Sequence, residues 1–153
     1  MESIKLIEIM RKYWDENGWE PPSQEWANKL AILIRDSMTL LKDSIDQSKP
    51  FFLIPTIQKE GQDFMENWES KLSLKLILNY LIEQNNIKLN KEKAKEIINE
   101  ISNKNNIKKG ILMKSLRVAF FGSLNGPDLI QSWELFSEIK TDKFRIERCI
   151  KST

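Results

Sequence analysis

Apolar residues return at every third or fourth position along almost the whole chain, and that spacing removes most of what the chain could fold into. Ile4, Ile7, Met10 and Trp14 form one stripe, and Trp26, Leu30, Leu33 and Ile34 form another. A helix with one buried face has this period, whereas a half-buried strand alternates in twos. The fold class expected is therefore all-α.

Breaks in the pattern divide the chain. In "GWEPPSQEW", Pro21 and Pro22 stop a helix, and Ser23 is suited to cap the next one. A third helix is expected from about Thr39, ending before Pro50. "KPFFLIPTIQKEG" reads as irregular, punctuated by Pro50, Pro55 and Gly61, and "SKPFFLIPTI" is the one place suited to a few extended residues. The boundary between two small helical subdomains, 1–56 and 57–153, is placed there. Beyond it come an acidic helix over Gln62–Trp68 and an apolar one over Leu72–Ile82. Asn90 caps "KEKAKEIINEIS", with Ile97, Ile98 and Ile101 inward, and Thr141 caps the closing "TDKFRIERCIKS".

What the chain lacks narrows its chemistry. It has no histidine, one cysteine and five glycines among 153 residues. That removes Ser-His-Asp and Cys-His sites, leaves no zinc ligand set, and gives no glycine-rich phosphate loop. No catalytic centre, metal or cofactor is expected in it. No apolar run approaches the roughly 20 residues that cross a bilayer. Glu2 and Glu8 interrupt the N-terminal pattern, unlike a signal peptide. A lone Cys149 suits a reducing compartment, so a cytoplasmic, monomeric protein is expected.

Charge is uneven. Residues 1–86 carry 10 Lys and Arg against 14 Asp and Glu, while residues 87–153 carry 14 against 8. A surplus of cations in one half suits a polyanion, although a lysine-rich solvated surface has the same composition. Five tryptophans could stack on bases. Trp14, Trp26 and Trp133 fall on apolar helix faces and are expected in the core; Trp19 and Trp68 are left open.

The stretch "GILMKSLRVAFFGSLNGPDLIQSW" reads as helix, corner, helix. Ile111, Leu112, Leu116 and Ala119 share a buried stripe, and Lys114, Arg117 and Phe121 share another face. Gly122 is placed to end the helix in a left-handed conformation, Gly126 to take an unusual backbone angle, and Pro127 to begin the next helix. Arginine donors beside free backbone N–H groups could hold an unstacked base or a phosphate.

"LMKSLRVAFFGSLNGPDLIQSWELF" closely resembles the C-terminal anticodon-binding region of bacterial-type glutamyl-tRNA synthetases, whose pattern is L-R-x-A-L-T-G-S-x-x-x-P-x-L. Leu116, Arg117, Ala119, Gly122, Ser123, Pro127 and Leu129 match it; Phe120 and Phe121 replace Leu-Thr. "WANKLAILIRDSMTLLKDSIDQSKPFF" is similar to the earlier half of the same region. The resemblance implies a two-part helical module that grips the anticodon loop of tRNA(Glu), with tRNA(Gln) a second candidate. It implies that Arg117, Gly126, Pro127 and Leu129 contact the first anticodon base, with Lys114 near phosphate, and that the segment from Arg35 to Ser37 lies near the third. Ser37 stands where members restricted to tRNA(Glu) commonly carry arginine. The family's catalytic half, which uses ATP and magnesium, needs a histidine motif that this chain lacks. A stand-alone protein-interaction domain derived from such a tail is the alternative.

Overall fold

The computed structural model describes residues 3–37, 44–84 and 87–153. Among them are nine helices and no strand: α1 (Ser3–Glu16), α2 (Gln24–Ser37), α3 (Ser44–Phe52), α4 (Lys59–Met65), α5 (Trp68–Glu83), α6 (Lys91–Asn105), α7 (Lys109–Phe121), α8 (Leu129–Glu138) and α9 (Asp142–Ser152). The all-α expectation holds. Ser23 Oγ accepts from Trp26 N at 3.1 Å, and Asn90 Oδ1 from Lys93 N at 2.8 Å, so both caps act as expected. Residues 38–43, which include the expected start of the third helix, lie outside the described residues.

That helix ends later than expected. α3 runs through Pro50 to Phe52, because two adjacent phenylalanines pull its last turn inward. Phe52 packs with Trp14, Trp19 and Trp26 at ring-centroid distances of 5.3, 5.5 and 5.4 Å. Phe51 turns the other way, stacking on Phe136 at 4.9 Å and meeting Phe121 at 5.8 Å. One helix end thus inserts a ring into each of two aromatic clusters. Burial of those rings offsets the hydrogen bond that a proline removes.

Trp14, Trp26 and Trp133 are at most 1% exposed, as expected of core residues. Trp26 Nε1 also donates to Leu135 O at 3.0 Å, tying α2 to α8. Around that bond Lys29 lies 4.0 Å from Glu134 and 3.8 Å from Glu138. Trp19 is half-buried on Phe52, and Trp68 is exposed on the first turn of α5.

Arg145 has no counterpart in the sequence reading. It is 1% exposed on α9, donating to Phe120 O at 3.2 Å and to Thr141 Oγ1 at 3.1 Å, with its guanidinium 4.1 Å from the Phe136 ring centre. Thr141 therefore precedes α9 as expected, but its hydroxyl serves Arg145 and makes no cap bond. Burial, with Arg148 adding repulsion, pushes the Arg145 guanidinium down to about 10, so it stays charged at neutral pH.

Candidate nucleic-acid interface

α7 buries most of its expected stripe: Leu112, Leu116 and Ala119 are at most 1% exposed, Ile111 is half-buried at the helix start, and Ser115 Oγ donates back to Ile111 O at 2.7 Å. Its end is fixed by Gly122, whose φ of 76° is left-handed, as expected, and whose N–H donates to Val118 O at 2.8 Å. A Cβ on Gly122 would collide with the Thr56 carbonyl. The Gly122 carbonyl accepts from Gln58 N at 2.8 Å, and Arg148 Nη1 donates to Pro55 O at 2.7 Å. The linker 53–58 is thus strapped across the end of α7.

Arg117 reaches over the corner that follows. Its Nη1 donates to Pro127 O at 3.0 Å and to Gly126 O at 3.3 Å. Partial burial lowers the guanidinium below its ordinary value, and Asp128 counteracts this; it remains charged. The corner is closed further by Ser123, whose Oγ donates to Asn125 O at 3.1 Å and accepts from Asn125 N at 3.3 Å.

Two details of the corner differ from expectation, at Pro127 and Phe121, and one agrees, at Gly126. Pro127 does not start α8: Asp128 is the cap, accepting from Gln131 N at 3.0 Å, and helix begins at Leu129. A side-chain carboxylate bonds an N–H that a helix start usually leaves open, so this terminus already holds an anion. Gly126 takes the unusual backbone angle expected of it, a φ of 159° that L side chains rarely adopt, and a Cβ there would also lie 2.8 Å from Phe121 Cδ2. Phe121 does not share the solvent face of Lys114 and Arg117. It is 6% exposed, because Phe51 and Phe136 draw its ring inward.

The structure brings Arg117, Gly126, Pro127 and Leu129 together at this one corner. Gly126 is exposed, Arg117 half-buried, Pro127 buried and Leu129 2% exposed, so Pro127 and Leu129 offer backbone more than side chain to a ligand. Lys114 is exposed one turn earlier on α7. Arg35 is half-buried on the last turn of α2, with Nε and Nη2 both 3.3 Å from Asp36 Oδ1. It lies roughly 13 Å along the helix axis from Trp26, at 1.5 Å per residue. Ser37 closes α2, and its side chain lies outside the described residues.

The corner offers directional hydrogen-bonding groups more than a surplus of positive charge. Asp128 offsets Arg117, while Asn125 and exposed backbone supply directional donors and acceptors. Asp128 and Arg148 were missed in the sequence. Asp128 was legible as a cap, since an acid precedes the apolar run "LIQSWELF". Arg148 was not, because its acceptor lies 93 positions away in sequence. No cluster of three or more His, Cys, Asp or Glu among the described residues could hold a metal. No helix among them is long and apolar enough to cross a membrane.

Residues 5–150 match the family model described as "Anticodon binding domain". Among curated relatives, the glutamate–tRNA ligase of Prochlorococcus marinus strain AS9601 is 91% identical over 98% of this chain and 32% of its own length. That of strain NATL2A is 44% identical over the same shares. The chain thus spans about a third of these relatives. A crystal structure of a glutamate tRNA ligase from Elizabethkingia meningosepticum, in complex with its amino acid, superimposes with a TM-score of 0.86 at 23% identity. It covers 99% of this chain and 30% of that one, a likeness of fold.

Proposed function

The chain belongs to the anticodon-binding domain family, and from that premise we propose that it grips the anticodon loop of tRNA(Glu) for a glutamate–tRNA ligase. Glutamate activation, with ATP and magnesium, belongs to a catalytic part outside this chain, and the assembled enzyme works as a cytoplasmic monomer. Residues 1–56 supply the contact to the third anticodon base, through Arg35 and Ser37. Residues 57–153 supply the contact to the first, through Arg117, Gly126, Pro127 and Leu129, with Lys114 near phosphate. tRNA(Gln) is the second substrate of this reading, since a serine at position 37 lacks the fork of donors with which an arginine selects a base.

The observation that supports this reading most is the corner itself. The matched motif folds into a turn whose backbone is pinned by the Arg117 guanidinium, at 3.0 Å from Pro127 O. Fixed backbone beside a cation is the arrangement that single-stranded RNA loops need. A tRNA gel shift with the purified chain over a salt series tests it. A few phosphate contacts give a log–log slope of roughly −2 to −4, at about −0.7 per phosphate. No binding at low salt would favour the protein-interaction alternative.

A further inference from the structure

Two of the chain's five glycines follow an asparagine, at Asn17-Gly18 and Asn125-Gly126. That dipeptide has a chemistry of its own. The glycine nitrogen can attack the asparagine side-chain carbonyl, because no Cβ on glycine crowds the approach. Both pairs are exposed, so exposure does not separate them. Hydrogen bonding does. Asn17 Nδ2 donates to Tyr13 O at 2.8 Å, and Gly18 N donates to Asp15 O at 3.0 Å. The electrophile and the nucleophile of the first pair are thus both tied to the end of α1. At the corner neither is tied: among the described residues, the Asn125 side-chain amide and the Gly126 N–H make no hydrogen bond.

What the corner does bond favours the reaction. Attack requires Gly126 N to lose its proton, which places negative charge on the peptide it shares with Asn125 O. Ser123 Oγ donates to that oxygen at 3.1 Å. Arg117 Nη1 stands 3.3 Å from the next carbonyl oxygen, Gly126 O. A donor and a cation beside a developing anion both lower the cost of forming it.

We propose that Asn125 is a site of spontaneous deamidation, which ages the corner from a neutral amide to a carboxylate. Gly126 N bonds to Asn125 Cγ as the Cγ–Nδ2 bond breaks, and ammonia leaves with the proton taken from the nitrogen. Water then opens the cyclic imide at either carbonyl. One product is aspartate. The other is isoaspartate, whose backbone runs through the former side chain. Either adds a negative charge beside Arg117, and the second lengthens the chain between Ser123 and the two carbonyls that Arg117 holds. Loss of RNA affinity with age is the consequence, and that part rests on the anticodon reading above.

The test incubates the purified chain in mildly alkaline buffer, folded and in urea, and follows its peptides by mass spectrometry. In the folded chain the Asn125 peptide is expected to convert several-fold faster than the Asn17 peptide. In urea, where only sequence counts, the two should convert alike. An equal or slower rate at Asn125 in the folded chain, or the same ratio persisting in urea, overturns the proposal. The consequence is read separately, with an anticodon stem-loop. Aged wild type and fresh Asn125→Asp should each bind about threefold more weakly than fresh wild type, the effect of one unit charge about 6 Å away in water. Asn125→Gln should bind equally before and after ageing, because its longer side chain must close a less favoured, larger ring. Unchanged affinity in fully converted wild type overturns the consequence. Absence of binding by the fresh chain at low salt overturns the anticodon reading and leaves the deamidation, read by mass, in place.

Discussion

Arg117 has two tasks, and they can be separated. Its guanidinium holds two carbonyls of the corner, so Arg117→Ala should lower stability by about 1–2 kcal/mol as well as weaken RNA binding. Urea unfolding of Arg117→Ala against wild type decides the matter, and an unchanged midpoint would show that the corner stands without it. Ser37 carries a prediction about choice of tRNA. Wild type should bind stem-loops with C or G at the third anticodon position with comparable affinity, and Ser37→Arg should come to prefer C about tenfold, or about 1.4 kcal/mol. A tenfold preference already present in wild type would refute permissiveness. Single residues were also where reading the sequence fell short. Arg145 lies in register with Ile146 and Cys149 on the buried side of α9, yet its type points outward by habit. Only the Phe120 carbonyl and the Phe136 ring, both distant in sequence, explain its place.

Helices were legible wherever local chemistry sets their limits, and less so where distant packing does. Ser23, Asn90 and Gly122 act at the ends predicted for them, because caps and left-handed glycines depend on neighbours within one turn. α3 runs past its predicted stop because Phe51 and Phe52 find partners in α1, α2, α7 and α8. The glycine inside α7 and the one at its cap make a direct test of this distinction. A Cβ on Gly110 would meet nothing within 4 Å, so Gly110→Ala should stabilise by about 0.5–1 kcal/mol through helix propensity alone. Gly122→Ala should destabilise by more than about 1 kcal/mol, since a left-handed φ and the Thr56 carbonyl both oppose it. Thermal melts of the pair should move in opposite directions; a common direction would contradict the geometry of the cap.

At the scale of the molecule, the buried Cys149 thiol links stability to alkaline pH. Burial pushes it up to about 11 from an ordinary 9.0, with Arg148 and Lys71 opposing the rise. Between those values the unfolded thiol has lost its proton and the folded one has kept it. Stability is then whole below about pH 9 and falls as pH rises towards 11, by at most about 3 kcal/mol for two units. Urea midpoints at pH 8 and pH 10.5 should fall less for Cys149→Ala than for wild type, and equal falls would assign the loss to other groups. The bond between Trp26 Nε1 and Leu135 O spans 109 positions of sequence. A ribosome adding about 5–20 residues per second needs roughly 5–20 s to cover that interval. For that time the Trp26 indole has been made and its acceptor does not yet exist. Until α8 has been made, the apolar face of α2 has only α1 and α3 to cover it.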